Sequence, residues 1–264
     1  KGVYKVFKNS NRFIEYSNNN EITKYLSSIC DARVIWGGDK TINDIRKNWI
    51  PEKSIELTFA DRYSLSLINI DKLKKENNKN FNSLVKKFYY DSYTMNQMAC
   101  NSPHFVFWLG KKDLNFQKKF WQKLNEIVEN KFSLDEVHVV EKYTNLMENI
   151  IINDEFKDIN LFKNNVFVCT PKNKLTKIEN IRGVSGTFFQ VNIKNLQDLK
   201  KFITKKCQTV TYYGLTKKEL RDFLLKSNLF GIDRVVPVGR ALEIDIIWDG
   251  YDVVSSLSRI VDYK

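Results

Sequence analysis

Ala32-Arg33-Val34-Ile35-Trp36-Gly37-Gly38-Asp39-Lys40-Thr41-Ile42 carries the pattern on which the fold turns. Five residues of strand type, rich in apolar and aromatic side chains, stop at a glycine pair, and a helical pattern takes over from about Thr41 to Arg46. Upstream, residues 12–16 (Arg-Phe-Ile-Glu-Tyr) read as a short strand. Asn20 caps a helix over residues 21–29, in which Ile22, Tyr25, Leu26 and Ile29 recur at helical spacing. Strand, helix, strand, helix in this order requires parallel strands with crossover helices. In an open sheet of that kind ligands collect beyond the carboxyl end of a strand, because backbone N–H groups and a helix N-terminus converge there. Gly37 and Gly38 are therefore the candidate phosphate contacts of a bound cofactor. A plain tight turn is the competing reading, since Gly-x-Gly-x-x-Gly is absent.

The alternation continues outward. Residues 55–59 and 64–70 are strand-like, and the charged stretch 72–80 leads into an amphipathic helix over 81–90. Residues 114–128 place Phe116, Phe120, Leu124 and Ile127 on one helical face, and a polar helix lies around 141–152. Strands are expected at 166–169, 187–193, 209–213 and 243–248, with helices at 196–205 and 217–225 and a last helix ending at Val261. The chain is α/β throughout.

Composition narrows the class. With 264 residues, 42% of them hydrophobic, the chain can bury a sizeable core. Its apolar runs are strand-sized, so no membrane span is expected. The formal charge of +12 comes from 43 Lys and Arg against 31 Asp and Glu. That excess is dispersed among Lys and Asn, with no basic stripe interleaved with stacking aromatics, which argues against nucleic acid as a partner. Four scattered cysteines without Cys-x-x-Cys spacing exclude a zinc or dithiol motif and suit a reducing cytoplasm.

One of those cysteines stands apart. Cys30 closes a helical pattern, Cys169 lies in the apolar run 165–169, and Cys207 precedes a strand, all places where a thiol behaves as a small hydrophobe. Cys100 instead sits in Asn96-Gln97-Met98-Ala99-Cys100-Asn101-Ser102-Pro103-His104, on a turn that feeds the buried run 105–109. A thiol so placed is a candidate nucleophile toward a carbonyl carbon. Gln97 is read as shaping the turn. His104 is read as a capping or core histidine that could otherwise tune the thiol.

Five blocks in order, residues 32–42, 58–64, 98–103, 208–214 and 231–252, resemble the LuxC-type fatty acyl-CoA reductases, a distant branch of the aldehyde dehydrogenase superfamily. The resemblance implies the end of a Rossmann-like cofactor domain over 1–58, an α/β catalytic domain over 59–210 carrying nucleophilic Cys100, and a segment 211–264 that returns to the cofactor domain or makes an oligomer contact. It also implies NADPH as reductant and a long-chain acyl thioester, acyl-CoA or acyl-protein, as substrate. Acyl-protein synthetase and acyl-transferase subunits are the implied partners, and the enzyme itself is expected to be a cytoplasmic homo-oligomer. On this reading the chain is a fragment lacking an N-terminal portion of the family. Two competing expectations are a subunit that relays acyl groups without reducing them and a non-catalytic interaction subunit.

Where the pattern departs from the superfamily the expectations weaken. The Glu-Leu-Gly-Gly base motif survives only as Glu56-Leu57, so Glu56 is the candidate base, against an ordinary strand residue facing solvent. The superfamily's ribose-binding glutamate near a Phe-Gly-Pro segment is replaced around Gly183-Val184-Ser185-Gly186-Thr187-Phe188, so no cofactor residue is carried over there.

Overall fold

The computed structural model describes residues 7, 8, 10–153, 156–172, 175 and 178–264. The chain divides into two compact units, one of residues 1–61 with 255–264 and the other of residues 62–254.

The first unit contains α1 (Asn20–Ile29), β1 (Ala32–Trp36), α2 (Asp39–Arg46) and β2 (Ile55–Phe59). β1 and β2 run parallel, Ala32 opposite Ile55 and Trp36 opposite Phe59, with α2 in the crossover. Asn19 rather than Asn20 caps α1, its side chain accepting from the N–H groups of Glu21 and Ile22. The strand expected at 12–16 is absent: these residues have no regular structure and Phe13 is wholly exposed. A short apolar run makes a strand only when a neighbour takes its backbone hydrogen bonds, and none of the described strands pairs with it.

The second unit is built on a seven-stranded sheet in the order β5-β6-β7-β4-β3-β8-β9. Its strands are β3 (Tyr63–Asn69), β4 (Pro103–Leu109), β5 (Phe156–Phe162), β6 (Val166–Pro171), β7 (Thr187–Ile193), β8 (Cys207–Tyr213) and β9 (Arg234–Pro237). All neighbours are parallel except β5, which is antiparallel to β6. The helices are α3 (Ile70–Leu73), α4 (Asn78–Tyr93), α5 (Leu114–Lys131), α6 (Glu136–Asn153) and α7 (Lys217–Ser227).

Two cores flank the sheet. Leu65, Leu67, Phe105, Phe107 and Phe189 pack with Leu146 of α6, Phe223 of α7 and Leu199 on one face. Val106, Trp108 and Phe188 pack with Leu84 and Phe88 of α4 and Phe120 and Trp121 of α5 on the other. Cover on both faces is why β4 is buried at every position and reads as an unbroken apolar run rather than an alternation. The indole N–H groups of Trp108 and Trp121 both donate to Gln190 Oε1, at 3.1 and 2.8 Å, so the aromatic core carries its own satisfied polar centre.

Several expectations need correcting. β5 is an additional strand. Leu196–Phe202 is a 3₁₀ segment opened by an Asn195–Asp198 capping box instead of an α-helix. The strand expected at 243–248 is reduced to Ile247–Trp248, paired with Tyr251–Asp252. Residues 211–254 belong to the second unit, where β9 extends the sheet beside β8, and only 255–264 group with the first.

Because β3, β4, β7, β8 and β9 are parallel, their first residues share one edge of the sheet. The chain enters β4 at Pro103, which puts Cys100 at that amino-terminal edge.

Candidate active site

Helix α4 delivers the chain to Cys100. Phe81, Leu84, Val85 and Phe88 form its buried stripe, and this docking fixes where the helix ends. The turn beyond it uses two consecutive left-handed residues that are not glycine, Asn96 (φ 52) and Gln97 (φ 60). The N–H of Gln97 reaches back to Ser92 O at 2.7 Å and that of Asn96 to Tyr93 O at 3.1 Å, satisfying carbonyls the helix leaves open.

Side chains hold the rest of the turn. Ser64 Oγ donates to Cys100 O at 2.6 Å and accepts the Thr209 N–H at 3.1 Å, tying the cysteine's backbone to β3 and β8 together. Asn101 Nδ2 donates to Ala241 O at 2.5 Å. Ala241 is itself held by Asp91 of α4, whose two carboxylate oxygens accept the N–H groups of Gly239 (2.6 Å) and Ala241 (2.9 Å), and by Arg234, which donates to Ala241 O at 2.6 Å. Gly239 sits at φ +98, where an added Cβ would press on Lys87 of α4 at 2.8 Å. Gln97 is turned inward onto Pro103 and the start of β7. The cysteine turn is thus held from three sides while Cys100 stays half-buried, flanked by exposed Met95 and Met98.

Burial separates this thiol from two of the others, which are wholly buried. Burial pushes Cys169 and Cys207 up to about 12, leaving them protonated at any ordinary pH. His104 is fully buried, and burial, with the Arg182 charge, holds it down to about 3. Its Nδ1 faces Gly183 O at 3.0 Å and Gly183 N at 3.2 Å, and the tautomer decides which contact is the hydrogen bond. A neutral ring held by backbone is a core histidine and does not suit a proton shuttle. Asp91 is the opposite case: burial raises it to about 6, against the two N–H groups that favour its charge.

In the first unit, Glu56 is paired on both carboxylate oxygens. Its Oε2 accepts from Arg33 Nε at 2.9 Å and from the Arg33 terminal nitrogen at 2.5 Å, and its Oε1 accepts from Arg46 Nε at 2.6 Å. Partial burial raises its pKa, but the hydrogen bonds from Arg46 and Arg33 outweigh that and hold the carboxyl below its usual range. Both oxygens are committed to joining β1, β2 and α2. Gly37 and Gly38 lie at the carboxyl end of β1, and Gly38 is the N-cap of α2 without a side-chain cap. A Cβ added at Gly38 would meet nothing within 4 Å, so the first turn of α2 is open to close approach by a ligand.

Sequence reasoning nominates Cys100 and does not find the residues that hold its turn, Ser64, Asp91 and Asn101, or the Gly239–Ala241 loop. No local signal marks a serine whose partners lie 36 and 145 residues away, or an aspartate whose partners lie 148 and 150 away. The non-glycine residues at a helix exit are the one available clue.

Among the described residues, no group of three or more His, Cys, Asp or Glu could hold a metal ion, and no helix is long and apolar enough to cross a membrane. Three solved structures illustrate the fold. An oxidoreductase from Marinobacter aquaeolei is 8% identical with a TM-score of 0.59, over 84% of this chain and 48% of that one. An E. coli NADP-dependent enzyme is 8% identical with a TM-score of 0.57, over 83% and 47%. Aldehyde dehydrogenase 21 from Physcomitrella patens, solved with succinate, is 8% identical with a TM-score of 0.56, over 86% and 48%. The chain therefore spans about half the length of these structures and shares the aldehyde-dehydrogenase-like α/β fold. A search of curated proteins gave no match. The acyl-CoA reductase (LuxC) family model matches residues 14–263, which covers both units and the cysteine turn, and the chain belongs to that family.

Proposed function

We propose that this chain is part of an NADPH-dependent reductase that converts a long-chain fatty acyl thioester to the aldehyde through an acyl-cysteine at Cys100. The observation that carries the reading is the cysteine turn itself: a half-buried thiol on a backbone fixed by Ser64, Asn101 and Gln97, in a chain whose Cys169 and Cys207 thiols are buried and inert. The Cys100 thiolate attacks the thioester carbonyl, forming a C–S bond and a tetrahedral oxyanion, which collapses with loss of the donor thiolate to leave acyl-Cys100. Bound NADPH would supply the hydride that turns this acyl group into a thiohemiacetal anion. Collapse of that anion breaks the C–S bond, releasing aldehyde and returning the thiolate. No water is activated in this direction, which removes the need for a strong base and fits a Glu56 committed to Arg33 and Arg46.

Gly37, Gly38 and the open first turn of α2 are the groups in this chain suited to cofactor phosphates, through backbone N–H donors. A soluble acyl donor, acyl-CoA or an acylated partner supplied by synthetase and acyl-transferase subunits, is the matching substrate source. A cytoplasmic homo-oligomer is part of the same reading. The test is NADPH oxidation with tetradecanoyl-CoA by the full-length protein, together with covalent labelling by radioactive acyl-CoA. Label on Cys100 that NADPH chases into aldehyde is the expected result. Label that NADPH cannot chase would make the protein an acyl relay, and absence of both label and cofactor binding would make it an interaction subunit.

A further inference from the structure

We propose that Gln97 is a positioning residue for Cys100, whose carboxamide fixes the thiol's approach to the acyl carbon. The inference rests on Cys100 being the nucleophile. A primary amide has two N–H donors and an oxygen with two lone pairs, and Gln97, 1% exposed, uses all four. Its Nε2 donates to Pro103 O at 3.1 Å and Thr187 O at 2.9 Å, and its Oε1 accepts the N–H groups of Gly186 at 2.9 Å and Thr187 at 3.0 Å. The four partners also fix which end is oxygen, since a flipped amide would set donors against two N–H groups and oxygen against two carbonyls.

Three of those bonds attach the amide to the entry of β7. The fourth runs to Pro103, the first residue of β4, and so closes the loop 97–103 across itself with Cys100 at its midpoint. The backbone supports the same conclusion from another direction. Gln97 holds φ 60, a region where glycine is the unstrained choice. A side chain retained at such a position has to repay the strain, and the four bonds are what it contributes. The neighbouring backbone makes room for it: a Cβ at Gly183 would lie 3.4 Å from Gln97 Nε2 and 1.9 Å from Thr187 O.

Two substitutions in the full-length protein test the role. Gln97→Gly deletes the amide and leaves its four backbone partners without it, while relief of the left-handed backbone offsets part of that cost. The expected result is a fall in kcat of about 10- to 100-fold, with KM for tetradecanoyl-CoA within about threefold, and a similar fall in the rate at which iodoacetamide alkylates Cys100. An unchanged kcat and alkylation rate would overturn the proposal. Gln97→Glu keeps both acceptors for Gly186 and Thr187 but sets an oxygen against two carbonyls until it takes up a proton. Its activity per folded molecule relative to wild type, with the folded fraction measured at each pH because protonation also restores stability, should therefore rise as pH falls from 8 to 6. A flat ratio counts against the proposal, and this arm stands by itself if Gln97→Gly does not fold. Cys100→Ala, measured alongside, separates the two failures. Activity surviving Cys100→Ala removes the nucleophile, whereas an inactive Cys100→Ala beside wild-type-like Gln97 variants removes only the positioning role.

Discussion

The Gly37–Gly38 turn and the Cys100 turn both join a strand to a helix, yet they do so at opposite ends of their strands and by opposite means. After β1 the chain passes into the N-terminus of α2, with Gly38 bare and open. Before β4 it leaves the C-terminus of α4 through two left-handed residues and is tied by side chains to β3, β7, β8 and the Gly239–Ala241 loop. A helix N-terminus presents unsatisfied N–H groups, so its value to an anion lies in being left uncovered. A nucleophile needs a fixed direction of approach, and under the proposed mechanism the covered and braced turn gives Cys100 that direction.

The largest effect expected is at the braced turn. Cys100→Ala should lower acyl-CoA reduction by roughly 10³-fold or more and abolish acyl labelling, with melting unchanged. Reduction and labelling that persist would move the nucleophile elsewhere and dissolve the contrast. Next comes the backbone behind it. Gly183→Ala places a Cβ 1.9 Å from Thr187 O and should cost about 3 kcal/mol, seen as a melting temperature lower by roughly 6–12 °C.

The open turn should respond in the other sense. A Cβ placed at Gly38 meets no neighbour within 4 Å, so with Gly38→Val the fold is expected to stand while the dissociation constant for NADPH, followed by fluorescence titration, rises about tenfold, or about 1.4 kcal/mol. KM for the acyl substrate should hardly move. A Gly38→Val variant that binds NADPH as wild type does would make the glycine pair an ordinary turn.

The most gradual effect is in the pH dependence of stability at the braced turn, where two buried groups oppose each other. His104 is lowered to about 3, so its contribution to stability is complete above about 6.5 and is lost as pH falls toward 3. Asp91 is raised to about 6, so its contribution grows as pH falls from 6 toward its ordinary 3.8. Between about pH 6 and 4 the two nearly cancel. His104→Gln removes one of them, and the stability of the variant relative to wild type should rise by about 1.4 kcal/mol per unit of falling pH across that window. Urea titrations at several pH values would show a constant difference instead if His104 were accessible to protons.

Legibility in the sequence tracks the range of the interaction. The strand 32–36, the helix stripe of α4 and the unbroken apolar run of β4 are local patterns, and each appears where the pattern puts it. The run 12–16 has the same local character and forms no strand, because a strand depends on a neighbour that its own residues do not specify. The pairing of Glu56 is hidden for a similar reason. Its sequence neighbours suggest a remnant motif, and only the folded unit brings Arg33 and Arg46 onto both of its oxygens.

By itself, the order of residues determined the α/β class, through local periodicity, and the family, through the resemblance of its five blocks. It also nominated Cys100 among four thiols, from a turn between a helix and a buried run. Tertiary structure alone decided that His104 is neutral and bound to backbone, that Glu56 is paired, and that Gln97, Ser64, Asn101 and Asp91 brace the cysteine turn. Those properties are fixed by desolvation and by hydrogen bonds to backbone atoms as far as 150 positions away in the chain, between Asp91 and Ala241. Spacing along a sequence does not encode either quantity.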